Sequence, residues 1–132
     1  MHFSVSPGVC LDSILSPCDG SDNLTSTLLA KVLDAERPDL IVFTGDQLNG
    51  QGTSWDAKSV LAKFAKVVTQ RKIPWAAVFG NHDEEGGDAK TDQLRYMQGL
   101  PYSLVQAGPA DIRGVGNYVL KVKSADALVP AV

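Results

Sequence analysis

Two short stretches of the chain combine glycine with side chains that could bind a metal ion or transfer a proton. Residues 45–50 begin with Gly-Asp and end with Asn-Gly, and residues 80–83 read Gly-Asn-His-Asp. A carboxylate, an amide oxygen and an imidazole together suit a divalent metal such as Mn²⁺, Fe or Zn²⁺. The same residue types also form ordinary turns and helix caps. A shared site therefore requires that the fold bring both stretches together.

Each stretch follows an apolar run that is typical of a buried strand. Residues 39–44 and 74–79 are both closed by glycine and bounded by turn-forming residues. Between them, apolar residues at helical spacing predict a helix over 54–71, and Thr53 with Asp56 matches a capping box. Strand, helix and strand in this order predict a right-handed βαβ unit with neighbouring parallel strands.

The carboxyl ends of the two strands are the expected position of any chemistry. Ligands of open α/β sheets bind just outside those ends, and neighbouring strands lie about 4.8 Å apart. We therefore expect Asp46, Asn81 and His82 to converge on one site. The apolar face of the helix, with Phe64 at its centre, should pack against the sheet.

Weaker patterns flank this unit. A first helix is predicted to begin at Ser21 or Asp22, either of which could cap it, and to end before Pro38. Its predicted apolar face consists of Leu24, Leu28, Val32 and Leu33. Residues 91–98 predict a helix, and residues 118–123 alternate enough for a partly exposed strand.

Composition and charge exclude several classes of protein. The 132 residues carry 12 basic and 15 acidic side chains, and a net charge of −3 argues against nucleic-acid binding. No apolar run approaches the roughly 20 residues that span a bilayer, and residues 1–7 lack the features of a signal peptide. We therefore expect a cytoplasmic protein without membrane association, in which Cys10 and Cys18 are free thiols. The Asn23-Leu24-Thr25 glycosylation pattern is then a chance match.

The Gly-Asp and Gly-Asn-His-Asp motifs resemble those of the calcineurin-like metallophosphoesterase superfamily. The resemblance covers most of residues 2–123. Within the superfamily, the sequence is similar to the branch that contains purple-acid-phosphatase-like enzymes and a fungal dosage-dependent cell-cycle phosphatase. It implies an α/β fold, namely a partial metallophosphoesterase-type α/β/β/α sandwich around the βαβ unit. It also implies a metal-dependent phosphatase that acts on a phosphorylated protein or a small phosphoester.

The resemblance also assigns a role to individual residues. It implies two divalent metal ions (Mn, Fe or Zn) bridged by the carboxylate of Asp46, with Asn81 as a ligand of the second metal. His82 would contact the phosphate and assist the leaving oxygen, and Asp83 would orient the ring of His82. His2 falls where the histidine of the family's opening Asp-x-His motif belongs.

The other ligands of that family site have no counterpart. The aspartate of Asp-x-His would precede Met1, no Gly-His-x-His motif occurs, and His2 and His82 are the only two histidines. We interpret residues 1–132 as a single incomplete domain that lacks the first strand and the C-terminal half. As a phosphatase, this fragment is expected to be inactive or nearly so.

This interpretation carries one structural expectation, and two alternative functions stand beside it. If the missing half normally covers one side of the sheet, Val42 and Val78 should be open to solvent. The alternative function is that of a non-catalytic α/β module or interaction fragment. A metal-free nuclease or acyl hydrolase that uses His82 and Asp83 ranks last, because no serine or cysteine nucleophile lies beside them.

Overall fold

Helices alternate with the strands of a small parallel sheet. The computed structural model describes residues 3–5, 20–50, 54–85 and 87–123. In chain order, the elements are α1 (Ser21–Glu36), β1 (Ile41–Phe43), α2 (Ala57–Thr69), β2 (Trp75–Ala77), a 3₁₀ helix (His82–Glu84) and α3 (Lys90–Gln98). The predicted α/β class is confirmed.

The sheet contains the predicted pair of neighbouring parallel strands. β1 and β2 pair in register from Ile41 opposite Trp75 to Phe43 opposite Ala77, with α2 as the connection between them. An isolated bridge links Phe3 to Leu48 just beyond β1, and another links Trp75 to Ser103 on the free edge of β2. The loops that follow β1 and β2 therefore leave the sheet side by side.

The core lies between α2 and the sheet, as the helical pattern predicts. Phe64 is fully buried, and its ring makes edge-on contacts with Phe43 at 4.6 Å and with Trp75 at 5.6 Å between ring centroids. The helix begins after Asp56, whose carboxylate accepts a hydrogen bond from the Ser59 N–H at 3.2 Å. Thr53, the other residue of the expected capping box, lies outside the described residues.

The start of α1 differs from the prediction. Its cap residue is Gly20, and neither Ser21 nor Asp22 caps the helix with its side chain. The buried carboxylate of Asp22 instead accepts from the Ser4 N–H at 3.2 Å and pairs with Lys63 Nζ at 2.8 Å. A buried carboxylate is stabilised by a cation and an amide donor, so Asp22 joins α1, α2 and the N-terminal segment.

The predicted apolar face of α1 is also largely wrong. Leu29 and Leu33 are the leucines that pack in the core, whereas Leu24 and Val32 are exposed and Leu28 is 57% exposed. Helix α1 carries two apolar stripes, and its contact with α2 decides which of them is buried. The position of α2 relative to α1 is a tertiary property that periodicity within one helix does not contain.

The C-terminal part of the described chain gives one confirmed and one wrong prediction. Helix α3 ends at Gln98 with Gly99 as its cap residue, as expected. Residues 118–123 form no strand, and Val119 is 80% exposed.

The Tyr118 hydroxyl accepts from the Ala77 N–H at 3.1 Å and donates to the Ala77 carbonyl at 2.9 Å. This side chain therefore takes the place of a neighbouring strand at the end of β2, and its burial raises the pKa of Tyr118.

One side of the sheet carries apolar groups in contact with solvent. Val42 is 54% exposed and Val78 is 39% exposed, as expected. Among the described residues, no helix has the length and apolar character needed to cross a membrane.

Candidate functional site

Two glycines let the loops after β1 and β2 touch backbone to backbone. A β-carbon on Gly45 would lie 2.7 Å from the Gly80 nitrogen, which is well inside van der Waals contact. A β-carbon on Gly80 would lie 2.0 Å from Asp46 Oδ1. Glycine at both positions therefore allows the carboxylate of Asp46 to reach the second loop.

Asp46 has an unusual backbone conformation at this contact. Its φ of +52° lies in the left-handed region, which aspartate tolerates better than most residues other than glycine. Its Oδ1 accepts a hydrogen bond from the His82 N–H at 2.9 Å. The structure therefore brings the carboxylate of Asp46 to the backbone of His82.

Asp83 ties the two loops together from within. Its carboxylate is 1% exposed and accepts three backbone hydrogen bonds. Oδ2 accepts from the N–H groups of Asp46 at 3.0 Å and Gly80 at 2.7 Å, and Oδ1 accepts from Leu48 N–H at 3.1 Å. The expected contact of Asp83 with the ring of His82 is not the one formed. Amide groups that the tight turns leave without backbone partners occupy the carboxylate instead.

The ring of His82 meets a different carboxylate, that of Glu85. Nδ1 of His82 lies 2.9 Å from Oε2 of Glu85, three residues later along the 3₁₀ turn. Residues three apart in a 3₁₀ turn lie nearly above one another, so the spacing itself was an available signal. Sequence reasoning missed Glu85 because a run of acidic residues after a motif commonly forms a solvated surface.

The structure describes one of the two remaining predicted ligands, Asn81, whereas His2 lies outside the described residues. Asn81 is exposed at the start of the 3₁₀ helix, beside His82. The residue after His2, Phe3, is fixed against the loop after β1. The Phe3 carbonyl accepts from the Asn49 N–H at 2.9 Å and from the Ser54 hydroxyl at 3.1 Å. Asp46 and Asn81 thus follow neighbouring strands, and Phe3 lies against the loop after β1.

Oxygen donors for a divalent metal are present, but the set is small. In the part of the chain that the structure describes, no three His, Cys, Asp or Glu side chains are grouped so as to hold a metal ion. The carboxylate of Asp46 and the amide of Asn81 have the chemistry that such an ion requires. Because Gly80 lacks a side chain, the Asp46 carboxylate has room at the strand ends. The described residues therefore fit part of a metal site.

The environment of His82 predicts a measurable change in its pKa. The hydrogen bond with Glu85 raises the pKa of His82 above 6.5, against an opposing effect of desolvation. Glu85→Gln should therefore lower the pKa of His82, measured by NMR titration of its ring protons. Since the folded-state pKa is the raised one, the ion pair stabilises the fold below about pH 6.5, and this contribution is lost as the pH rises through the folded-state pKa.

A neighbouring acid provides the control for this titration. Glu84→Gln removes a carboxylate that lies 3.5 Å from Lys90, and it should leave the pKa of His82 nearly unchanged. If the pKa of His82 decreased equally in both variants, its shift would come from the general negative charge nearby and not from the contact with Glu85.

The chain belongs to the calcineurin-like phosphoesterase family, whose sequence profile matches residues 1–123. It is 40% identical over 130 residues to "Phosphatase DCR2" of Saccharomyces cerevisiae, a match that covers 94% of this chain. It is 39% identical over 109 residues, 80% of this chain, to "Probable inactive purple acid phosphatase 29" of Arabidopsis thaliana. The Arabidopsis "Probable inactive purple acid phosphatase 28" is 35% identical over 132 residues, a match that covers 92% of this chain. No solved structure matches.

These relatives are considerably longer than the present chain. The matches cover 22% of the yeast phosphatase, and 28% and 32% of the two Arabidopsis proteins. The chain therefore spans between a fifth and a third of the length of the curated relatives that it matches. Membership of the family supports a phosphatase-type function and the general requirement of that family for divalent metal ions.

Proposed function

We propose that this chain supplies part of the catalytic centre of a metal-dependent phosphoester hydrolase. The observation that carries the proposal is the joining of the two post-strand loops. Asp46 accepts a hydrogen bond from His82 across them, and Asp83 accepts from both loops at once. This arrangement supports a role for oxygen donors and an imidazole at one edge of the sheet.

In this proposal each residue has a separate task. Asp46 and Asn81 would hold the metal ions, and His2 would add an imidazole ligand. Two divalent ions in such a site polarise the phosphoryl group and lower the pKa of a bound water molecule. His82 would give a proton to the leaving oxygen, which typically contributes about 10²–10⁴-fold to the rate. A phosphorylated protein or a small phosphoester would be the substrate.

The same proposal holds that residues 1–132 alone hydrolyse phosphoesters poorly or not at all. Two metal ions would have to share one carboxylate, one amide and one imidazole, because the chain contains no further histidines. Amide oxygen is a weak ligand, so the second metal ion would be held loosely. General acid assistance from His82 is far too small to replace the metals.

A metal titration tests the proposed site without relying on activity. Paramagnetic Mn²⁺ added to the isotope-labelled chain should broaden the amide signals of residues 45–48 and 80–83 before others. Asp46→Asn should weaken this broadening, because it removes the charged oxygen ligand. Asp39→Asn is the matched control, since Asp39 is an exposed acid just before β1, away from the strand's carboxyl end.

Two results would count against the proposal. One is broadening centred on other acidic groups, such as those of α1. The other is broadening at residues 45–48 that persists unchanged in Asp46→Asn.

A non-catalytic role is the second candidate. The names of two Arabidopsis relatives contain the word "inactive", and the described residues hold no cluster of three charged or imidazole ligands. In that case the chain would retain the fold as an interaction module. Absence of Mn²⁺ binding at the two loops, together with an intact fold, would favour this function.

A further inference from the structure

Glu85 is held between the ring of His82 and the loop after β1. Besides the 2.9 Å contact with Nδ1, the Glu85 N–H donates to the His82 carbonyl at 3.1 Å. On its other side the Glu85 side chain packs on Gly50, where a β-carbon would lie 2.2 Å from Glu85 Cβ and 2.8 Å from Oε2. A residue with a side chain at position 50 would displace this carboxylate. The contact therefore depends on both loops.

Two aspartates near His82 accept hydrogen bonds from backbone amides. Asp83 accepts from backbone amides, and Oδ1 of Asp46 accepts from the backbone N–H of His82. Glu84, the acid adjacent in sequence, points toward Lys90 at 3.5 Å. The carboxylate of Glu85, in contrast, lies 2.9 Å from Nδ1 of the ring.

We infer that Glu85 is the positioning residue of His82, and that it selects the ring nitrogen that serves the substrate. Its carboxylate accepts a hydrogen bond from Nδ1–H in both the neutral and the charged ring. Nε2 is then the nitrogen that exchanges a proton, and the ring cannot rotate freely about its side-chain bonds. The orientation of an imidazole by a carboxylate on its other nitrogen is a general device of histidine chemistry. Gly50 is the second requirement, because its missing side chain leaves room for Glu85.

The consequence for catalysis rests on the proposed function. As a water oxygen bonds to phosphorus and releases a proton to solvent, the bond from phosphorus to the leaving oxygen breaks and its electron pair remains on that oxygen. The Nε2 proton of His82 then neutralises the leaving oxygen, and the ring regains a proton from solvent. Throughout these steps the proton on Nδ1 stays on the ring of His82 and remains hydrogen-bonded to the carboxylate of Glu85.

The tautomer of His82 provides a test that needs neither metal nor activity. Long-range proton–nitrogen NMR correlations, recorded at a pH where the ring is neutral, distinguish Nδ1–H from Nε2–H. The chain has two histidines, so a His2→Asn variant assigns the signals. Free imidazole side chains in water favour the Nε2–H form. We expect the Nδ1–H form to predominate for His82 in the unmodified chain.

Three variants at neighbouring positions make the test specific. Glu85→Ala should shift the tautomer ratio of His82 toward Nε2–H by about fivefold, the effect of one ordinary hydrogen bond. Glu85→Gln should retain the Nδ1–H form, because the amide oxygen still accepts from Nδ1. Glu84→Ala should leave the ratio unchanged. Because the side chain of Glu85 is partly exposed, all three variants should give amide spectra of the folded chain.

The inference is overturned if His82 is mainly Nε2–H in the unmodified chain, or if Glu85→Ala and Glu84→Ala shift the ratio equally. Failure of the proposed function would be visible separately. In that case Mn²⁺ would not broaden residues 45–48 and 80–83, whatever the tautomer of His82.

Discussion

Phe64→Ala is expected to lower the free energy of unfolding by about 3–5 kcal/mol, the usual range for a buried phenylalanine. Phe64 is fully buried and contacts the rings of Phe43 on β1 and Trp75 on β2. Truncation therefore removes the contact that fixes α2 to both strands and leaves a cavity between them. Urea unfolding followed by circular dichroism measures the loss.

A leucine on α1 provides the control for this unfolding experiment. Leu28 is large and apolar but mostly exposed, so Leu28→Ala should change the free energy of unfolding by less than about 0.5 kcal/mol. A loss below about 1 kcal/mol in Phe64→Ala would show that α2 does not pack on the sheet as described.

Asp83→Ala is expected to cost about 3 kcal/mol or more of folding free energy. Its carboxylate is the acceptor for the N–H groups of Asp46, Leu48 and Gly80, and the substitution removes this acceptor from one buried and two partly buried donors. Each unsatisfied buried donor costs about 1–3 kcal/mol, partly relieved where water enters. Hydrogen exchange should show the effect locally, with faster exchange at these three amides.

An exposed aspartate on α3 gives the matched comparison for Asp83. Asp92 pairs with Arg95 on the surface at 3.1 Å, and such pairs contribute little to stability. Asp92→Ala should leave both the stability and the exchange at the loops nearly unchanged. Unaltered amide exchange in a stable Asp83→Ala variant would contradict the role given to this carboxylate.

The strand–helix–strand unit could be predicted because its information is local. The apolar run before Gly45, the helical spacing around Phe64 and the run before Gly80 each predict their own element. The order of the three elements then limits how they pack. The meeting of Asp46 with His82 follows from the same logic, because both residues come directly after neighbouring parallel strands.

The details that failed depend on contacts between distant parts of the chain. The hydrogen bonds of Asp83 join it to residues 35 and 37 positions earlier, so its local motif could not identify those partners. Leu28 and Leu29 are equally plausible core residues until the position of α2 is known. Residues 118–123 alternate as a strand would, but alternation alone supplies no neighbouring strand with which to pair.

The central proposal is that Asp46 and His82 belong to one phosphoesterase site to which this chain contributes part of the residues. Its most direct test is Mn²⁺-dependent hydrolysis of an aryl phosphate by yeast DCR2 in which this chain replaces the 130 matching residues. The chimera should be active, Asp46→Asn should abolish its activity, and His82→Ala should lower the rate about 10²–10⁴-fold. The isolated chain should show little or no hydrolysis. Equal rates for the chimera with and without Asp46→Asn would contradict the site, and hydrolysis by the isolated chain that Asp46→Asn abolishes would contradict its incompleteness.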